Sequence, residues 1–214
     1  MKYILENSNQ VTFHTFLNDV FRAIDQKQRD YNWLITEADL NWCPDERLLK
    51  DIIWIDGCEL TDIIEANSIQ FIWGVLSGFK KDIVLDINNL DVIPCADGNE
   101  NLWNSEVDIQ HPLADIEIVC WDSTSTIFMS RDDELSNMYK KYYSDSNNLE
   151  LQNQNVDSQI NFIMKTIIES KKINDIASEQ LYRLAIKIRY EVYGKDYMRV
   201  VSKYDIKAIM KELQ

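Results

Sequence analysis

Glycine and proline are scarce in this sequence, with five Gly and three Pro among 214 residues. This scarcity argues against a protein built from loops, repeats or fibres, and no segment recurs at a fixed period. Hydrophobic residues account for 45% of the chain, which is enough for a core and argues against wholesale disorder. The length suits one large domain, or one domain with a small appendage.

Long apolar runs are also missing. The longest stretch, 69-IQFIWGVLSGF-79, contains Gln70 and falls well short of the roughly 20 residues that a membrane-spanning helix needs. The first ten residues, MKYILENSNQ, have neither the apolar run nor the small-residue cleavage site of a secretory signal. We therefore expect a soluble, cytoplasmic protein that does not bind membranes.

Cysteine and histidine are too few for the common metal sites. The four cysteines form no CxxC pair, and two histidines cannot complete the usual zinc patterns. The segment 97-DGNENLWNSEVD-108 places Asp97, Asn99, Asn101 and Asp108 at ligand positions of a calcium loop, but Leu102 stands where that loop needs glycine. We expect reduced thiols, no bound metal and no other cofactor.

Catalytic motifs are absent: the sequence has no P-loop, GxGxxG, GxSxG or HExxH. The stretch that most resembles an active site is 115-DIEIVCWDSTSTIFMS-130, in which Cys120 and a histidine would supply a nucleophile and a base. Cys120 alternates with Ile116 and Ile118, so it is predicted to face a core, and acidic neighbours raise the pKa of a thiol. We interpret the stretch as a hairpin that turns at Asp122. His111 is predicted to be a surface residue whose pKa is raised by nearby acids.

Positive charge is scarce relative to negative charge in the first 155 residues. The net charge is −14, yet residues 156–214 carry 11 basic and 8 acidic residues, which leaves 11 basic and 28 acidic residues in 1–155. Residues 82–134 hold 13 acidic residues and a single basic one, Arg131. A surface of this kind repels nucleic acids and anionic lipids and attracts basic partners. A metal site built from Asp82, Asp86 and Asp91 for phosphodiester chemistry would lack the basic residues that hold such a substrate.

What the sequence does contain is a pattern of strands and helices. Apolar spacing predicts a helix over about 9–25. Strands are predicted at 31–36, 52–55, 69–76 and 82–87, with a tight turn at Asp56 and Gly57. Residues 88–112 are rich in turn formers and predict a long, exposed acidic loop. Ser130 followed by Asp133 predicts a capping box at the start of a helix.

The C-terminal quarter has only helical patterns. Residues 144–159 are polar and rich in Asn and Gln, which is typical of a linker, and helical spacing follows at 160–168, 181–192 and 204–213. We predict an α+β fold, with a mixed and mainly antiparallel sheet, packed helices and a small all-helical C-terminal appendage. The predicted domains are an acidic α+β domain over 1–145 and a three-helix subdomain over 156–214.

The charge distribution predicts a site for a basic protein partner on the acidic domain. Trp103 stands among acidic and polar residues, where an aromatic side chain suits a binding hot spot or folds back to anchor its own loop. The predicted partner-binding residues are Asp82, Asp86, Asp91, Asp97, Glu100, Trp103, Glu106, Asp108, Asp115, Glu117 and Asp122.

A small α+β protein with a strongly acidic unit, no catalytic motif and few cysteines resembles the bacterial immunity proteins that neutralise polymorphic or contact-dependent toxins. The resemblance implies a protein that binds and blocks a basic toxin, such as a nuclease, and that is not an enzyme. Two alternatives remain open. One is an enzyme that uses scattered carboxylates and His111, and the other is a scaffold or regulator that uses the C-terminal helices.

Overall fold

Antiparallel pairing joins seven strands into one sheet in the computed structural model, which describes residues 1–43, 45–171 and 178–193. The strands are β1 Lys2–Glu6, β2 Tyr31–Leu40, β3 Ile52–Asp56, β4 Phe71–Lys80, β5 Ile116–Trp121, β6 Ser125–Ser130 and β7 Asn147–Asn148. The helices are α1 Leu17–Ala23, α2 Gly57–Ala66, α3 Asp133–Tyr142, α4 Leu149–Lys171 and α5 Ser178–Tyr193. The α+β prediction is confirmed, although every strand pairing among the described residues is antiparallel and the sheet is not mixed.

The strands lie side by side in the order β3-β2-β4-β5-β6-β1-β7. The chain divides into two compact units, Met1–Glu150 and Leu151–Gln214, and the sheet belongs to the first. No helix in the described part of the chain is long and apolar enough to cross a membrane.

One face of the sheet is covered by helices α1, α2 and α3. Because side chains alternate along a strand, Trp33 and Ile35 of β2, Ile118 of β5 and Phe128 of β6 point to this face and are fully buried. Fully burying one such side chain stabilises the fold by about 1.5–3 kcal/mol. Cys120 joins this core beside Ile118, as predicted, and burial raises the pKa of its thiol well above the usual range.

The other face is covered by residues 81–115, which we call the covering segment. Its apolar side chains Leu102, Val107 and Ile109 are buried against the sheet. The predicted strand at 82–87 is wrong, since these residues pair with no strand. The predicted exposed loop at 88–112 is half wrong. Its carboxylates face solvent, whereas Ala96, Leu102, Val107 and Ile109 help to complete a second core.

The stretch 116–130 is the predicted hairpin. Strands β5 and β6 pair in register from Ile116 opposite Ser130 to Trp121 opposite Ser125. Asp122 and Ser123 form the turn with φ angles of 46° and 56°, the left-handed pair of a type I′ turn. The capping prediction is wrong by two residues, because the carboxylate of Asp132, not the hydroxyl of Ser130, accepts the Glu134 N–H at the start of α3.

Two N-terminal predictions also differ from the structure. The first helix covers only 17–23. Phe16 has an extended backbone and forms an isolated antiparallel β-bridge with Gln70, so the helix begins after it. Asp56 and Gly57 do not make a hairpin turn. Asp56 caps α2 by accepting the Cys58 N–H at 2.7 Å, so β3 runs directly into a helix.

The C-terminal unit is helical wherever the structure describes it. Helices α4 and α5 pack through a small core that includes Ile163, Ile167, Ala185 and Ile188. The predicted linker at 144–159 is wrong, because Asn147 and Asn148 form β7 and the later Asn and Gln residues lie within α4, which begins at Leu149. The predicted helix at 204–213 lies outside the described residues.

Candidate functional site

The predicted partner-binding residues lie mainly on the covering segment, which carries nine of the eleven, Trp103 included. Asp115 and Trp103 are half-buried, and Asp122 is exposed in the turn between β5 and β6. The remaining carboxylates on the segment are all exposed to solvent: Asp82, Asp86, Asp91, Asp97, Glu100, Glu106 and Asp108.

Glu117 is the exception and does not lie on the surface. It sits on β5 beneath the covering segment and has no exposed surface. Its carboxylate accepts the backbone N–H of Gln110 at 3.0 Å and the side-chain N–H of Gln110 at 3.1 Å. Burial raises its pKa from the ordinary value of 4.5 to about 7, although the hydrogen bonds from Gln110 and Ser77 act in the opposite direction. Glu117 therefore anchors the segment from below and cannot contact a partner.

Gln110 extends this anchor through the segment. Its side-chain oxygen accepts the Cys95 N–H at 2.9 Å and the Asn99 amide at 3.0 Å. Asn99 also donates to the Cys95 carbonyl at 3.0 Å and accepts the Asn101 N–H at 3.1 Å. The hydrogen bonds of Asn99 thus tie Cys95, Asn101 and Gln110 together within the covering segment.

Strand β2 holds the segment from a second side. The Thr36 hydroxyl donates to the Pro94 carbonyl at 2.5 Å, and the Glu37 carboxylate accepts the N–H groups of Ala96 at 2.5 Å and Asp97 at 3.2 Å. These contacts link residues almost 60 positions apart. They fix an irregular backbone over the sheet, so the segment is ordered before any partner arrives.

His111 is an interior residue, which corrects the prediction of a surface histidine. Its side chain is 5% exposed, and its ring centre lies 4.8 Å from that of Phe79. Nδ1 accepts the Leu113 N–H at 3.3 Å. Burial lowers the pKa of His111, and the charge of Asp91 only partly opposes this, so the predicted upward shift is wrong.

Trp103 folds back onto the sheet. Its ring centre lies 4.8 Å from that of Trp121, and Trp121 lies 4.8 Å from Trp73. All three rings pack against the core beneath the covering segment. Two roles were considered for Trp103, a binding hot spot and an anchor for its own loop. These contacts support the second role.

Exposed aliphatic side chains are interspersed among the carboxylates, and sequence reasoning missed them. Val84 is 86% exposed, Ile93 56% and Leu113 54%. These exposed apolar side chains, which lie among carboxylates of the same segment, are ones that a protein partner could bury.

Few cations neutralise the segment. Lys2 lies 3.6 Å from Asp108, and Lys80 lies 3.5 Å from Asp115. In the described part of the chain, no ion pair within 4 Å reaches the other exposed carboxylates of the segment: Asp82, Asp86, Asp91, Asp97, Glu100 and Glu106. The negative field of this surface is therefore directed at solvent.

The residues proposed for the alternative enzyme are divided between the surface and the interior. Asp82, Asp86, Asp91 and Asp122 are exposed, whereas His111 is buried under the segment. Among the residues that the structure covers, no three His, Cys, Asp or Glu side chains are placed to share a metal ion.

Comparison of the chain with protein-family models, with curated proteins and with solved structures returns no match.

Proposed function

We propose that this is a binding and inhibitory protein of the bacterial cytoplasm, which acts as an immunity protein by docking its acidic covering segment on a basic toxin. The observation that carries the proposal is a set of six exposed carboxylates that form no ion pair with the described residues, mixed with exposed aliphatic side chains on a fixed backbone. Neither nucleic acid nor an anionic membrane suits such a surface, because both are negatively charged.

The two components of the surface have different effects on binding. Opposite fields steer a basic partner into contact and raise the association rate by roughly 10–10³ fold, an effect that salt screens. Burial of Val84, Ile93 and Leu113 would supply affinity that salt does not screen. Because the anchored backbone is already ordered, little conformational entropy is lost on docking.

The test is co-expression with the product of the neighbouring gene, followed by measurement of the dissociation constant at several salt concentrations. Reversing four exposed charges on the segment (Asp82→Lys, Asp91→Lys, Glu100→Lys and Glu106→Lys) should weaken binding by at least about tenfold, from the usual value of exposed ion pairs. The control reverses four exposed charges elsewhere (Asp25→Lys, Asp30→Lys, Glu46→Lys and Glu134→Lys) and gives the same net charge. The proposal fails if no basic partner binds or if both variants bind equally well.

A further inference from the structure

The two edges of the sheet are built differently. At one edge β7 is only two residues long, which leaves little backbone for another chain to pair with. At the other edge β3 has five residues, Ile52–Asp56, and pairs with β2 alone. Natural proteins protect such edges with lysine, proline or a bulge. The sequence of β3, IIWID, contains neither lysine nor proline, and its register against β2 is unbroken.

The outer side of β3 is available for hydrogen bonding. In the residues that the structure describes, no hydrogen bond other than those to β2 involves the backbone of Ile52–Ile55. Alternate backbone N–H and C=O groups of an edge strand point away from the sheet, so β3 offers a row of donors and acceptors. Ile52 and Trp54 are half-buried on one face, which leaves part of each side chain for contact with an added strand.

The surroundings of β3 are acidic. An open depression of about 380 Å³ lies where the chain enters β3, and its lining includes Glu37, Asp39 and Asp51, with Lys50 as its cation. No ion pair within 4 Å joins Lys50 to these carboxylates in the described part of the chain. A second depression, of about 340 Å³, differs because Arg47 occupies it and lies 2.7 Å from Asp45 and 3.8 Å from Glu59. Glu37 already accepts the N–H groups of Ala96 and Asp97, so the carboxylates of this depression that an incoming cation can pair with are those of Asp39 and Asp51.

The edge also adjoins the covering segment. Lys81, the first residue of the segment, pairs with Asp56 at the end of β3. Ile83 and Leu85 belong to the same core as Ile52 and Trp54. The exposed β3 edge and the acidic segment therefore form neighbouring parts of one surface.

We infer that β3 is a docking edge to which a basic protein partner adds an extended strand, with its cationic side chains over the acidic depression beside β3. The inference rests on the proposed function and specifies its mode of binding. Strand addition supplies affinity through backbone hydrogen bonds, and the flanking carboxylates select a basic segment. A second copy of this chain is a poor occupant, because each copy carries a net charge of −14 and the same acidic flank.

The experiment titrates the full chain with a capped seven-residue peptide of alternating Arg and Val. Binding is followed by amide chemical shifts and by hydrogen exchange. Alternate amides of Ile52–Asp56 should become protected. A peptide methylated on alternate backbone nitrogens, with unchanged charge, should bind at least about tenfold more weakly, since several hydrogen bonds of roughly 1 kcal/mol each are lost. Ile52→Lys should weaken binding, whereas Ile52→Glu, which loses the same apolar contacts, should not.

Three results would overturn the inference. The methylated peptide binds as tightly as the parent, the protected amides lie outside β3, or the free protein dimerises through β3. The inference and the proposed function fail separately. If the covering-segment variant binds its partner as tightly as the control variant does while the peptide still protects β3, the proposed surface is wrong and the strand addition stands. If the partner binds in a salt-dependent way and β3 stays unprotected, only the strand addition is wrong.

Discussion

At the scale of single residues, Glu117 shows how one buried carboxylate links stability to pH. Its pKa of about 7 lies above the unfolded value of 4.5, so the folded state holds a proton more tightly than the unfolded state. Its contribution to stability is thus fully present below pH 4.5 and is lost as the pH rises to about 7. The shift corresponds to about 3 kcal/mol, at 1.36 kcal/mol per pKa unit.

We therefore predict that Glu117→Gln makes the free energy of unfolding less dependent on pH. The variant should gain up to about 3 kcal/mol relative to the wild type between pH 4.5 and pH 8, because an amide has no charge to bury. Urea denaturation at pH 5, 7 and 8 measures this difference. The exposed residue Glu106 provides the control, since Glu106→Gln should leave the pH dependence of the wild type intact. Parallel pH curves for wild type and Glu117→Gln would contradict the prediction.

At the scale of elements, the covering segment shows what the sequence could and could not predict. The alternation of Ile83, Leu85 and Ile87 predicts a strand, but Ile83 and Leu85 pack one-sidedly on the sheet without any strand partner, and Ile87 is exposed. Exposure of the segment's polar residues followed from composition. The role of Gln110 and Glu37 as anchors could not be predicted in this way, because their contacts join residues far apart in the sequence and leave no local pattern.

The hairpin 116–130 was predictable because its contacts are local in the sequence. Its two strands are neighbours in the sequence, and alternation placed Cys120 and Ile118 on one face. The same alternation placed Glu117 on the other face, together with Val119. Only the covering segment, which folds back over that face, turns the position of Glu117 into an interior one.

Trp103 tests how firmly the segment is anchored. Because its ring packs on Trp121, we expect Trp103→Ala to destabilise the fold by about 2 kcal/mol, somewhat less than for a fully buried aromatic residue. Trp42, which is 56% exposed, is the matched control, and Trp42→Ala should change stability by less than about 0.5 kcal/mol. Urea denaturation gives both values. Equal effects of the two substitutions would mean that Trp103 does not anchor the segment.

At the scale of the whole molecule, the chain combines two units of opposite charge character. Residues 1–150 carry 28 acidic and 11 basic residues, whereas 151–214 carry 8 and 11. Among the residues that the structure describes, those that form the two cores on either side of the sheet all lie at or before Leu149, and the C-terminal unit has a core of its own. The first unit therefore contains everything that the proposed binding surface needs.

This division predicts that residues 1–150 fold without the rest of the chain. Truncation at residue 145 should be more harmful, because it removes β7 from its pairing with β1 and takes away the fully buried Leu149. Loss of that side chain alone costs about 2 kcal/mol.

Tryptophan fluorescence during urea denaturation compares the two truncated chains, since all six tryptophans lie before residue 122. The 1–150 chain should unfold in one cooperative transition, and the 1–145 chain at a lower urea concentration. Equal midpoints would show that β7 and Leu149 add nothing to the sheet. A 1–150 chain without a transition would show that the first unit depends on the second.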